Sequence, residues 1–221
     1  MEVSGVVKVL GGARVLRGAR GSFVGGRIHV LEGANGSGKS TLLGILGGRA
    51  RATTGTVKLR RQDKVLAQGA ELRAHVGWLG HDLGLYGDLT AIENVGLHAH
   101  IRGAKVEDAW SRWSAALNLE PLRDRRVRVM SRGQRQRVAL ARALVGAPEV
   151  LLLDEPSTGL DGGAVDRLVE VLQGLSSAGT LVFVVTHDVP FRDKLGGQRW
   201  RLVQGQLQTD EPDGEVSAPS G

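Results

Sequence analysis

The segment Gly33-Ala34-Asn35-Gly36-Ser37-Gly38-Lys39-Ser40 follows a short apolar run at 28–31 and precedes a stretch of helical periodicity at 39–46. It matches the pattern G-x-x-x-x-G-K-[ST], which requires a strand before it and a helix after it. Glycines let the backbone curl so that successive N–H groups point inward at a phosphate, and the following helix presents its positive end. The segment therefore predicts a nucleotide-phosphate site; a flexible glycine-rich turn is the less favoured alternative.

Two side chains of this loop are expected to contribute chemistry as well as binding. Lys39 is expected to reach the β- and γ-phosphates and to take part in catalysis, and Ser40 is expected to supply a hydroxyl to Mg²⁺. The residues of this segment that are predicted to hold ATP are Gly33, Ala34, Asn35, Gly36, Ser37, Gly38, Lys39, Ser40 and Thr41.

A second set of polar residues follows the apolar run at 150–153. Asp154 and Glu155 lie at the end of this expected strand, where adjacent side chains point to opposite sides. Asp154 is predicted to hold Mg²⁺ with its water shell, and Glu155 to polarise the attacking water. His187, after the run at 181–186, is predicted to contact the γ-phosphate. The alternatives are polar turn residues at a strand end and a histidine without a catalytic role.

Composition limits the classes of protein to which the chain can belong. The net charge of +6 and the pI near 10.3 suggest nucleic acid or a membrane surface as partners, but 41% hydrophobic and 24% charged residues are ordinary globular values. The absence of cysteine excludes disulfides, thiolate nucleophiles, Cys-ligated zinc and covalent haem attachment. No apolar run approaches the roughly 18–20 residues of a membrane span, so we expect a cytosolic chain that meets a membrane through a partner.

The order of patterns along the chain predicts an α/β protein. Strand-like and helical segments alternate at both ends, and the middle, about 90–147, is mainly helical. The simplest architecture is an α/β core interrupted by a helical subdomain. Residues 1–207 are expected to form one domain, whereas 208–221, with four acids and no bases, are expected to be a disordered acidic tail.

A family resemblance emerges once the motifs are taken together. Met130-Ser131-Arg132-Gly133-Gln134 resembles the LSGGQ signature of ABC-type ATPases, and it is followed by an arginine- and alanine-rich helical segment. Asp154-Glu155-Pro156, the D-loop-like segment at 157–161 and His187 come next, in the family's order and approximate spacing. The chain is thereby identified as a member of the ABC nucleotide-binding domains. The resemblance implies a P-loop NTPase core with a mostly parallel sheet, a small antiparallel β subdomain and an inserted helical subdomain.

The resemblance also implies partners. In a head-to-tail dimer, Ser131, Gly133 and Gln134 of one subunit would close on the ATP and Mg²⁺ held by residues 33–41 of the other. Multi-pass transmembrane subunits would complete the complex, with the chain peripheral on the cytoplasmic face of the inner membrane and no nucleic acid bound.

Three positions depart from the family pattern. Arg132 replaces the first glycine of the signature, and its cation would lie either outside the phosphate contact or add charge to it. His81 stands where a glutamine is usual; it is a candidate for a water near Mg²⁺ or a loop histidine without that duty. Leu10 stands where an aromatic residue usually stacks on adenine, and it is either an apolar contact to the base or a plain strand residue.

Further segments are similar to one subfamily. Leu79-Gly80-His81, Gly84-Leu85-Tyr86 and Leu89-Thr90-Ala91-Ile92-Glu93-Asn94, together with Arg132, resemble the CcmA subfamily, the ATP-binding subunits of the haem-handling complexes of cytochrome c biogenesis. That resemblance implies ATP hydrolysis coupled to haem handling. The alternatives are the ATPase of another ABC exporter or importer and, less favoured, a non-transport ABC protein acting on nucleic acid.

Overall fold

The computed structural model describes residues 1–209 and arranges them in two β-sheets with helices on both sides of the larger one. The smaller sheet is antiparallel throughout, with the strand order β2-β1-β4-β5. Its strands are β1 (Glu2–Leu10), β2 (Ala13–Ser22), β4 (Thr54–Arg61) and β5 (Lys64–Gln68).

The larger sheet has the strand order β10-β9-β3-β8-β7-β6, and only its edge strand β10 runs antiparallel to its neighbour. Every residue of β7 and β8 is buried, which explains why both strands are continuous apolar runs: helices or a second sheet cover both faces. The strands are β3 (Ile28–Glu32), β6 (Val76–Leu79), β7 (Val150–Asp154), β8 (Leu181–Val185), β9 (Gln198–Val203) and β10 (Gln206–Thr209).

Six α-helices lie in the described part of the chain. They are α1 (Lys39–Leu46), α2 (Ala91–Ile101), α3 (Val106–Ser114), α4 (Arg132–Ala143), α5 (Gly162–Ser177) and α6 (Val189–Leu195). Helices α2, α3 and α4 follow one another between β6 and β7, within the span for which a helical subdomain is expected. None of the helices in residues 1–209 combines the length and the apolar character needed to cross a membrane.

The larger sheet separates two apolar cores. Because side chains alternate along β7, Leu151 and Leu153 pack with helices α2 to α6, whereas Val150 and Leu152 pack with α1 and the antiparallel sheet. Because β3, β7 and β8 run parallel, their carboxyl ends lie at one edge of the sheet, where the phosphate loop begins.

Strands β2 and β10 are not predicted from the sequence. Strand β2 is rich in arginine and glycine, and β10 is mostly polar; both pair through backbone hydrogen bonds at the margin of a sheet, so neither carries a strong apolar pattern. Because β10 ends at Thr209, the predicted acidic tail cannot begin at Gln208. The rest of that predicted tail, 210–221, lies outside the described residues.

Candidate functional site

The phosphate loop connects β3 to α1 and depends on glycine at particular positions. Gly38 is the N-cap of α1 with φ 103°, and a Cβ there would lie 2.8 Å from Val15 Cγ1. Gly36 has φ 77°, but a Cβ there would meet nothing within 4 Å. Conformation and packing therefore both exclude a side chain at Gly38, whereas Gly36 is constrained by conformation and borders open space.

Lys39 is folded back over this loop. Its Nζ donates to the carbonyl oxygens of Gly33 at 2.8 Å and Ala34 at 3.0 Å, and the residue is 8% exposed. No acidic residue stands in the first turn of α1, so the ammonium group and the positive end of the helix act on the loop without a neighbouring carboxylate there. The charge at the loop therefore favours an anion.

Ser40 and Asp154 meet where α1 begins and β7 ends. Ser40 Oγ donates to Asp154 Oδ2 at 3.0 Å, and Asp154 is 8% exposed. Mg²⁺ in nucleotide sites takes one or two such protein oxygens and completes its shell with water and phosphate oxygens. The donor set of Ser40 and Asp154 fits that ion. No larger cluster of His, Cys, Asp or Glu suited to a metal occurs within 1–209.

Glu155 is fixed from the end of β8. Its backbone has φ 49°, an uncommon conformation for a residue other than glycine, and its N–H donates to Val185 O at 2.8 Å. Its Oε2 accepts hydrogen bonds from Thr186 Oγ1 at 3.1 Å and from the backbone N–H of His187 at 3.2 Å. The His187 ring nitrogen Nε2 lies 3.8 Å from Glu155 Oε1. These contacts hold the carboxylate beside His187.

One cleft of about 520 Å³ contains most of the predicted residues. Leu10, the candidate contact to the base, is 48% exposed at the end of β1 and does not line the cleft, whereas Val15 does. The sequence does not indicate Val15 as a cleft residue, because β2 carries no strong apolar pattern. The cleft is lined by Val15, Asn35, Gly36, Gly38, Lys39, Ser40, Thr41, His81, Asp154, Glu155 and His187.

The signature residues lie away from this cleft, at the start of α4. Ser131 caps the helix: its Oγ accepts from Gln134 N at 3.3 Å, and Gln134 Oε1 accepts from Ser131 N at 3.0 Å. A Cβ at Gly133 would lie 2.2 Å from Gly159 O. None of Ser131, Gly133 and Gln134 lines the cleft of its own chain. Within one chain, the signature residues therefore lie outside the cleft that contains the phosphate loop.

The structure gives the locations of His81 and Arg132, two residues that depart from the family pattern. His81 lines the same cleft as the candidate Mg²⁺ ligands Ser40 and Asp154. Arg132 lies against the backbone of Gly159: a Cβ on that glycine would be 3.1 Å from Arg132 Cγ and 3.2 Å from its Cδ. The methylene groups of Arg132 thus cover a turn of the D-loop-like segment.

Comparison with known proteins places these motifs in a family. The family model described as "ABC transporter" matches residues 16–158. The Fe(3+) ions import ATP-binding protein FbpC 1 of Rhodococcus jostii is 37% identical over 92% of this chain, and the chain spans only 61% of that relative's length. The cell division ATP-binding protein FtsE of Escherichia coli is 32% identical over 90% of this chain and 92% of its own length.

Solved structures agree with this assignment. The dimeric structure of MJ0796, described as a bacterial ABC transporter cassette, has a TM-score of 0.84 at 26% identity over 96% of this chain and 99% of its own length. A dimeric post-hydrolysis state of the same cassette, bound to ADP and Pi, has a TM-score of 0.83 at the same identity and coverage. The predicted α/β cassette fold is confirmed. The chain belongs to the family of ABC transporter ATP-binding proteins.

Proposed function

We propose that the chain binds ATP with Mg²⁺ in the cleft between the phosphate loop and the ends of β7 and β8, and hydrolyses it as the ATPase subunit of a transport complex. One observation carries this proposal. Ser40 Oγ and Asp154 Oδ2 are 3.0 Å apart in the same cleft that Lys39, Glu155 and His187 line. The cleft thus combines an anion-binding loop, a pair of oxygen ligands for a metal and a fixed carboxylate.

Each side chain has a role that its contacts support. Lys39 and the loop N–H groups bind the phosphates, and Ser40 with Asp154 would hold Mg²⁺, which neutralises charge on the phosphate oxygens when it is bound. Glu155 accepts a hydrogen bond from the attacking water and orients it, because Thr186 and the His187 N–H keep the carboxylate in place. His187, half exposed, contacts the γ-phosphate.

A second copy of the chain completes the site. Ser131, Gly133 and Gln134 lie at the N-terminal end of α4, where the positive end of the helix dipole favours an anion. These residues do not line their own chain's cleft, so they act on the nucleotide of a partner in a head-to-tail dimer. The dimeric MJ0796 cassettes support this arrangement by similarity.

Membrane subunits dock, in this proposal, at a separate pocket of about 320 Å³ between α2, α4 and β6. Arg49, Arg73, Arg102 and Arg142 line it with His98, and no Asp or Glu is among its described lining residues. Such a cationic pocket complements a carboxylate, so the docking segment of the partner is expected to carry an acidic residue. The chain would then lie peripherally on the cytoplasmic face of the membrane.

We propose that the transport complex is the haem-handling complex of cytochrome c biogenesis. The support is the run of subfamily-like segments from Leu79 to Asn94 together with Arg132. The alternative is the ATPase of another exporter or importer, and the iron-import name of the FbpC relative favours it. Isolation of the complex from native membranes tests both: multi-pass haem-handling proteins support the first, and subunits for another substrate support the second.

Glu155→Gln tests the hydrolytic function. This variant keeps the shape of the side chain and removes its negative charge, so ATP binding is expected to persist while steady-state hydrolysis stops. Glu170→Gln, at an exposed position on α5, is the matched control and is expected to hydrolyse ATP at the wild-type rate. Hydrolysis that continues unchanged in Glu155→Gln would exclude Glu155 as the base.

A further inference from the structure

Gln136 is a buried polar residue of α4 that the proposed chemistry does not use. It is 4% exposed, and its Nε2 donates to the carbonyl oxygens of Pro156 at 3.0 Å and Glu155 at 3.3 Å. The side chain therefore joins the signature helix to the backbone of the proposed catalytic base.

Glu155 needs such support because its backbone is in the left-handed region, with φ 49°. A residue other than glycine remains there only when its surroundings hold it. Val185 O binds its N–H, Thr186 binds its carboxylate, and Thr158 N and Gln136 Nε2 bind its carbonyl oxygen. Of these contacts, only the one from Gln136 comes from the helical subdomain.

Gln136 lies close to the start of α4, so its contact with residues 155 and 156 is near the signature residues. Ser131 caps α4, and Gln136 lies five residues further on, a rise of about 7.5 Å along the helix axis. A movement of the start of α4 would therefore reach residues 155 and 156 through a short segment of helix.

We propose that Gln136 is a positioning residue: it holds the turn at Glu155 and Pro156, and it couples the seating of α4 on a partner's nucleotide to the placement of Glu155 in its own chain. The inference rests on the proposed function. It predicts that ATP bound at one site of a dimer raises turnover at the other, because in the proposed dimer one helix contacts both sites.

Gln136→Met tests the proposal by removing both donors while keeping the length of the side chain. We expect the kcat for ATP to fall roughly tenfold to a hundredfold, the scale for a misplaced catalytic group, while the KM stays within about twofold of wild type. The Hill coefficient for ATP is expected to fall towards unity. Gln136→Lys, which retains a donor, is expected to keep a kcat above about a tenth of wild type.

Gln173→Met is the matched control. Gln173 Nε2 likewise donates to two successive carbonyl oxygens, those of Lys194 at 3.2 Å and Leu195 at 3.4 Å, but it joins α5 to α6. Its loss is expected to leave both kcat and the Hill coefficient unchanged.

Three outcomes would overturn the proposal, and a fourth identifies a different failure. A wild-type kcat in Gln136→Met would overturn the proposal. So would loss of ATP-dependent dimerisation when Gln136→Met is added to Glu155→Gln, because Gln136 would then be needed for dimer formation rather than for the placement of Glu155. If Gln136→Met does not fold, Gln136→Lys decides: a kcat below about a tenth of wild type overturns the proposal. Hydrolysis that survives Glu155→Gln alone would instead contradict the proposed base and so identifies a different failure.

Discussion

Gly133 and Gly159 are packed backbone to backbone: a Cβ at Gly133 would lie 2.2 Å from the carbonyl oxygen of Gly159. This contact joins the first turn of α4 to the segment that leads into the N-cap of α5, Asp161. Glycine at position 133 is therefore required within one chain, independently of any nucleotide.

Gly133→Ala is expected to lower the free energy of unfolding by about 1–3 kcal/mol, because the added methyl group forces two backbone segments apart. Chemical denaturation measures the change. Gly174→Ala is the control: a Cβ at Gly174, within α5, meets nothing within 4 Å. It is expected to raise the free energy of unfolding by roughly 0.5–1 kcal/mol, the ordinary gain of alanine over glycine in a helix. Equal values for the two variants would contradict the packing argument.

The cleft was largely predictable because its residues belong to local motifs. Lys39 and Ser40 follow a strand directly, and Asp154 and Glu155 end one, so the edge at which parallel strands end brings the two motifs together. His187 follows from the same rule. The sequence does not report which side chains from other layers reach the edge, and Val15 illustrates this: it comes from the antiparallel sheet.

The pocket proposed for docking, here called the arginine pocket, is lined by Arg49, Arg73, Arg102 and Arg142. It could not be predicted from the sequence. Arg102 comes from the end of α2, Arg142 from α4, and Arg49 from the segment after α1, so only tertiary packing brings the three together. Gln136 poses a similar difficulty. It stands among charged residues in an amphipathic helix, and its burial against residues 155 and 156 appears only when α4 is packed on the core.

Lys39→Ala is expected to weaken both ATP binding and hydrolysis by roughly tenfold to a hundredfold, because the loop loses the positive charge proposed to bind the terminal phosphates. Fluorescent-nucleotide titration and steady-state hydrolysis measure the two effects. Lys194→Ala, which breaks an exposed ion pair with Asp166, is the control and is expected to change neither quantity. Binding that is unaltered in Lys39→Ala would show that the phosphates lie elsewhere.

Arg49→Glu is expected to release the membrane subunits without affecting ATP binding by the isolated chain. The Arg49 guanidinium lies 4.9 Å above the Trp78 ring in the arginine pocket and does not line the nucleotide cleft. Reversal of its charge would repel an acidic docking residue. Co-purification from native membranes measures the effect, with Arg27→Glu, an exposed arginine outside the pocket, as the control. Retention of the membrane subunits by Arg49→Glu would argue against docking through a carboxylate.

The same pocket makes the stability of the fold sensitive to acid. Burial, as the largest cause, and the neighbouring positive charges of Arg142, Arg102 and Arg49 together lower the pKa of His98 from 6.5 to about 4. Between these two pH values the unfolded chain binds a proton at this histidine and the folded chain does not, so the free energy of unfolding falls as the pH decreases from 6.5 to 4. Burial also lowers the pKa of His29.

His98→Leu isolates the contribution of the pocket. The variant removes the titrating group together with a buried Nδ1 that makes no hydrogen bond among the described residues, so its stability at pH above 6.5 is expected to match or exceed that of wild type. Its free energy of unfolding should decrease less between pH 6.5 and 4 than that of wild type, and the slope that remains would be due in part to His29. Urea denaturation across this range measures both slopes. Identical slopes would mean that burial and the three arginines do not hold His98 neutral between pH 6.5 and 4.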